Sequence, residues 1–313
     1  MLHTQLTRQD LRETFEELSR RSYEGIPGVI RIDGPAPGPS LGVMAMTHGN
    51  EPAGLAAFYG LLQADALASQ LQCGTLYLIL NNLAAGRRYF EEASDLSFTA
   101  HYRFVDQDMN RMQEPEQGRI AGQSSEINRV NALLPLYQRL DAVLDLHSTS
   151  AASAPMLIEI DRALPPLHCP GVEILIRDIL PQLLGKALVS LCSRARGYVI
   201  ECGSHEEAGA LLVAQEAVWR MLERLQMVPT REHGPSPLTI YSVYRAIVFP
   251  NDSYSLERIL QSFERLPAGT LLAQGDGAPI RVERDSWVIM PPPRLQPVHP
   301  GSEFLYLATR EAQ

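Results

Sequence analysis

Four short apolar runs, each giving way to polar residues at its carboxyl end, constrain this chain most. LGVMAM (41–46) runs into THGNEP, GTLYLILNN (74–82) ends in two asparagines, DAVLDLHSTS (141–150) ends on a histidine and hydroxyls, and GYVIECG (197–203) carries a glutamate. Their length and composition predict strands. Helical patterns lie between them: AGLAAFYGLLQADAL after the first, a stretch over 124–139 before the third, and EEAGALLVAQEAVWRMLERL after the fourth. Strands alternating with helices predict an α/β fold, a mostly parallel sheet with helices on both faces.

The two ends of the chain read differently. Residues 7–21 predict an amphipathic helix, with Thr7 and Asp10 as a capped start and Leu11, Phe15 and Leu18 on one face. After Pro229 the helical periodicity is lost. Short β-type runs (LTIYSVYRAIVF, GTLLAQ, RVERDSWVIM, EFLYLAT) alternate with turn residues, among them Gly275, Gly277, Pro291 to Pro293, Pro297 and Pro300. The division expected is a main α/β domain over 1–230 and a small, mainly β domain over 231–313.

Composition excludes several classes. The net charge of −9 disfavours nucleic acid, which needs a positive face, so an acidic substrate would have to meet a local arginine cluster. No apolar run approaches the length of a membrane span. The opening MLHTQLTRQDLRETFEEL has no apolar signal core, and the four cysteines (Cys73, Cys169, Cys192, Cys202) never form a CxxC pair. These features predict a cytoplasmic protein with reduced thiols and no membrane partner; they leave a homo-oligomer open.

Ligands in open α/β sheets bind beyond the carboxyl ends of the strands. Three such ends carry residues that could act together: His48 and Glu51, His147, and Glu201. Two imidazoles and a carboxylate suit a hydrolytic zinc site whose fourth position is left to water, and zinc lowers the pKa of that water to about 7. Glu201 fits the carboxylate that moves the proton. An isolated H-x-x-E is weak evidence, and a lone His147, His168 or His233 has ordinary structural readings. HYRFVDQDMNRM (101–112) brings Arg103 and Arg111, suited to holding a carboxylate, although Asp106 and Asp108 could equally pair them in a solvated loop.

HGNE (48–51), DMNR (108–111), DLHSTS (145–150) and the glutamate of IECG (200–203) occur in this order. Together they resemble the succinylglutamate desuccinylase and aspartoacylase family, which is related to the zinc carboxypeptidases. RLPAGTLLAQGDG (265–277) is similar to that family's C-terminal β domain, while helix 7–21 looks like an addition. The resemblance implies one zinc ion held by His48, Glu51 and His147, with Glu201 as general base and acid. It implies Arg103 at the oxyanion, Asn110 and Arg111 at the substrate's α-carboxylate, and a further substrate arginine ahead of Glu201, Arg194 in preference to Arg196. It also implies that Tyr306 reaches into the site. The expected reaction is removal of an acyl group from a small N-acyl amino acid. The rivals are a carboxypeptidase acting on a small peptide and a non-catalytic zinc-binding regulator. Ser-Thr-Ser after His147 and CGSHEEAG after Glu201 depart from both namesake enzymes, so the expectation stops at the reaction class.

Overall fold

A computed structural model of the protein describes residues 6–63, 66–93, 100–160, 165–205, 207–231, 234, 237–292, 301 and 303–311. Helix α1 (Arg8–Arg20) begins at a capping box: the Thr7 side chain accepts from the Asp10 backbone amide, and Asp10 accepts in return from the Thr7 amide. Its buried face, Leu11, Thr14, Phe15 and Leu18, packs on the helical layer beside the sheet. The expected helix 7–21 is thus present, shortened by its two caps.

The main sheet has eleven strands: β1 (Val29–Asp33), β2 (Ser40–Ala45), β3 (Thr75–Leu80), β4 (Ala142–Thr149), β5 (Met156–Glu159), β6 (Ile174–Arg177), β7 (Arg196–Ser204), β8 (Thr239–Val248), β9 (Arg265–Leu266), β10 (Ser286–Ile289) and β11 (Glu303–Arg310). Their spatial order is β9-β10-β11-β8-β6-β5-β7-β4-β2-β3-β1. The β3-β2-β4-β7 centre is parallel, as are β5 with β6 and β6 with β8. β1 and β5 join antiparallel to β3 and β7, and the C-terminal strands β9, β10 and β11 are antiparallel throughout. The architecture is the expected α/β fold, a large, mostly parallel core with antiparallel C-terminal strands added.

Strand alternation decides which residues reach which face. Leu41, Val43 and Ala45 of β2, with Leu144 and Leu146 of β4, face a core that includes α1, α2 (Ala53–Gln63), α3 (Leu83–Glu92) and α5 (Ala208–Arg224). Met44, Val143 and Val199 face the opposite core with helix α4 (Ser125–Tyr137). The same parity carries Asp145 and His147 past Val143, and Glu201 past Val199, onto that second face.

The boundary expected at 230/231 falls between α5 and β8. The segment beyond it extends the main sheet through β8 to β11. It also forms a three-stranded sheet of Ser255–Leu256, Leu271–Gln274 and Ile280–Arg281, over a core with Phe249, Leu272 and Leu305. Pro293, Pro297, Pro300 and His233 lie outside the described residues. The four cysteines are free thiols. Among the described residues no helix is long and apolar enough to cross a membrane.

The Phe15 ring is 2% exposed and 5.3 Å from the Phe90 ring, and a Cβ at Gly86 would lie 2.5 Å from it. Phe15→Ala should therefore cost about 3–5 kcal/mol, the range for a truncated buried aromatic. Chemical denaturation checks this, and a loss under about 1 kcal/mol would show that α1 is not part of the core.

Candidate metal centre and active-site cleft

At the end of β2 the backbone of Met46 turns into the left-handed region (φ 56°), and Asn82 donates its amide to the Met46 carbonyl. The chain then enters His48-Gly49-Asn50-Glu51. Gly49 is required by crowding, since a Cβ there would stand 2.5 Å from the Tyr102 carbonyl oxygen. Its amide donates to the Arg103 carbonyl (2.9 Å), which ties the first strand end to the arginine-bearing loop. Glu126 of α4 fixes the same loop from the other side. Its buried carboxylate accepts from the amides of Val105 (2.7 Å) and Asp106 (3.1 Å) and from Asn82 Nδ2 (3.1 Å).

His48, Glu51 and His147 converge, each offering a ligand atom within 4.8 Å of the others, and all three are buried. Glu51 lies between the two rings, with Oε1 2.8 Å from His48 Nδ1 and Oε2 2.8 Å from His147 Nδ1. The far nitrogens meet carboxylates of their own: His48 Nε2 is 3.0 Å from Asp108 and His147 Nε2 is 2.9 Å from Asp145. Such carboxylate–histidine pairs orient imidazoles toward a metal and raise their basicity. The donor set therefore fits a divalent ion.

The electrostatics follow from burial and pairing. Burial opposes ionisation of Glu51, but His48 and His147 outweigh it and hold the carboxyl well below the usual range. Burial is likewise overcome at Asp108, by Arg103 and His48. Glu201 behaves in the opposite way. It lies beside His147 in the β4–β7 register and lines the same cleft, yet its buried Oε2 has no hydrogen-bond partner among the described residues. Burial, with Glu51 adding to it and the histidines and Arg103 opposing, pushes it up to about 7. A carboxyl poised near neutrality suits general acid–base work.

The cleft encloses about 800 Å³ and is lined by all nine expected site residues except Arg194. Arg103 donates to Glu51 (3.0 Å) and Asp108 (3.2 Å). Asn110 Nδ2 lies 3.5 Å from His147 Nε2, while its side-chain oxygen accepts from the Leu188 amide (3.0 Å). Arg111 donates through Nε to Glu303 (2.9 Å), through one terminal nitrogen to the Asn110 carbonyl (2.8 Å) and through the other to the Tyr306 hydroxyl (3.2 Å). Tyr306 is buried, which pushes its hydroxyl up to about 12.

Arg194 requires a correction. It is exposed and acts electrostatically on Asp141, just before β4, and Arg196 opens β7 opposite Ala142. Glu201 is five residues further along the strand, about 17 Å at 3.3 Å per residue. Both arginines stand at the amino end of the sheet, away from the cleft. Asp145 and Glu303 are site residues that the sequence reading missed. Strand parity with His147 could have found Asp145, whereas nothing local marks Glu303.

Residues 37–177 match the family model described as the succinylglutamate desuccinylase/aspartoacylase catalytic domain. No curated protein matches the sequence. Among solved structures, the succinylglutamate desuccinylase from Chromobacterium violaceum aligns with a TM-score of 0.67 at 17% identity, covering 98% of this chain and 99% of that one. The succinylglutamate desuccinylase from Vibrio cholerae gives 0.66 at 16% identity, covering 91% and 86%. The succinylglutamate desuccinylase/aspartoacylase from Rhodobacter sphaeroides gives 0.62 at 14%, covering 91% and 89%. At these identities the likeness shows the fold.

With three protein ligands, the purified chain should bind about one divalent ion. His48→Ala or His147→Ala should release it, and Asp108→Asn should weaken it by about 10- to 100-fold. Elemental analysis and chelator competition measure both, and full retention in the two histidine variants would overturn the site.

Proposed function

We propose that this chain, whose segment 37–177 belongs to the succinylglutamate desuccinylase/aspartoacylase family, is a zinc-dependent amidohydrolase that deacylates N-acyl amino acids. The observation that carries the reading is Glu201: a half-buried glutamate with one buried oxygen that has no hydrogen-bond partner among the described residues and a pKa raised to about 7, in the same cleft as a two-histidine, one-glutamate group. His48, Glu51 and His147 would hold the zinc. When bound, it supplies Lewis-acid polarisation of the acyl carbonyl and a water made nucleophilic near neutral pH.

The chain's own residues do the rest. Ionised Glu201 takes a proton from the attacking water and passes it to the departing nitrogen; the amide C–N bond breaks, water's oxygen joins the acyl carbon, and a free amine leaves. Arg103 faces the charge that develops on the carbonyl oxygen. Asn110 and Arg111 hold the α-carboxylate, with Tyr306 steadying the Arg111 guanidinium. In this reading residues 1–230 are the catalytic domain, and residues 231–313 are a β domain whose strand β11 returns Glu303 and Tyr306 to the cleft. A tripeptide offered beside an N-acyl amino acid separates this activity from that of a carboxypeptidase.

Glu201→Gln should keep zinc and substrate affinity and lower turnover by about 10²- to 10⁴-fold. Glu201 must be ionised to accept the proton, so kcat/KM should fall as pH drops through its pKa. That pKa is about 7 in the metal-free site and is drawn lower by the ion's positive charge. The variant should lack this acidic limb, and a limb of unchanged midpoint would show that another group is the base.

Arg111 reads a group present in substrate and transition state alike, so its loss should raise KM, whereas loss of Arg103 should fall mainly on kcat. On a substrate whose α-carboxylate is converted to an amide, Arg111→Ala should be penalised far less than on the free acid. Equal penalties would remove the carboxylate-binding role.

A further inference from the structure

One part of the cleft's lining outside the ionisable cluster is apolar. Ile158 and Val199, cross-strand partners on β5 and β7, form it together with Ile179, Leu180, Leu183 and Ala187. The last four belong to one segment that wraps the arginine. Met112 and Lys186 exchange backbone hydrogen bonds (3.0 and 2.7 Å), and a Cβ at Gly185 would lie 2.8 Å from the Arg111 Cα. The Leu184 amide donates to the same Glu303 carboxylate that pairs with Arg111 (2.5 Å). A carboxylate held by Arg111 therefore places its α-carbon substituent beside an aliphatic wall.

Charge balance points the same way. Arg103 and Arg111 are the guanidinium groups lining the cleft among the described residues, and no lysine lines it. Each is already paired with carboxylates: Arg103 with Glu51 and Asp108, Arg111 with Glu303. Counting formal charges, these two arginines and a divalent ion are balanced by Glu51, Asp108, Asp145 and Glu303, with Glu201 still uncounted. One substrate carboxylate can share the Arg111 fork. A second would enter a site with no surplus positive charge and an apolar wall, and burying an unpaired carboxylate is strongly unfavourable.

We propose that the cleft selects N-acyl amino acids with an aliphatic side chain and an uncharged acyl group, and rejects N-acylated acidic amino acids and dicarboxylic acyl groups. The selection rests on the deacylase reading above and narrows it. Glu303 and the 179–187 wall set it together: one neutralises the arginine and the other offers apolar contact in place of a second cation.

The test compares kcat/KM of the zinc-loaded protein for N-acetyl-L-leucine, N-acetyl-L-aspartate and N-succinyl-L-glutamate. Calorimetric binding of the same three to Glu201→Gln adds a readout independent of turnover. The leucine derivative should lead by about 10²-fold in both, in line with the penalty for an uncompensated buried charge. Leu180→Arg, checked for an unchanged melting temperature, should shift preference toward N-acetyl-L-aspartate by at least about tenfold. Equal or better handling of N-acetyl-L-aspartate or N-succinyl-L-glutamate by wild type would overturn the inference while leaving the deacylase reading standing. Unaltered selectivity in folded Leu180→Arg would also overturn it, by showing that the wall does not touch the side chain. Failure of all three compounds to bind or react would remove the deacylase reading, and the inference with it.

Discussion

The Glu51 carboxylate, buried between two imidazoles, is the interaction on which the rest of the site depends. Its two oxygens lie 2.8 Å from His48 and His147, and Arg103 donates to one of them. A carboxylate taken out of water is tolerated only when its partners replace the lost hydration. Both imidazoles are buried in turn and need partners of their own, which Asp108 and Asp145 provide. The outcome is a closed set of alternating charges at one end of the sheet, and Glu201 is the member left without a cation of its own. Its raised pKa follows from that position.

Holding such a set requires rigid supports, and the topology supplies them. Parallel strands β2, β4 and β7 lie side by side, so their carboxyl ends deliver His48, His147 and Glu201 to one edge. The two-residue period of a strand then places Asp145 and His147 on the same face, toward α4. That helix answers with Glu126, whose carboxylate gathers the amides of the loop that carries Arg103. A buried carboxylate accepting several amide hydrogen bonds fixes a loop more firmly than side-chain packing alone would.

Much of this was legible in the sequence because the signals were local. The capping box at Thr7 and the apolar runs of β2, β3, β4 and β7 each depend on residues close together in the chain, and their positions agree to within about two residues. The residues 48, 51, 147 and 201 were recognised by type and order at strand ends. The failures were of another kind. The resemblance implies a substrate arginine ahead of Glu201, but β7 is extended, so residues preceding Glu201 lie progressively farther from the cleft. Strands β5 and β6 are four residues long each, too short to show a period. Glu303 lies 192 residues from Arg111, and its meaning depends wholly on the pairing of β11 with β8.

That long-range pairing changes what the C-terminal segment contributes. The sequence predicts a small, mainly β unit that sends Tyr306 toward the site; in the structure β11 hydrogen-bonds along β8, and β8 along β6, so the segment continues the main sheet. One end of β11 brings Glu303 to Arg111, and Tyr306, three residues on, adds its hydroxyl to the same guanidinium. A guanidinium bound on two edges is fixed in plane, and this preorganises its remaining donors for a planar carboxylate. Glu303 also offsets its charge, so in the proposed selection the geometry that would hold one carboxylate would discourage a second. In the proposed selection, the last described strand therefore has a part, far in sequence from the motifs at residues 48–51, 108–111 and 145–150.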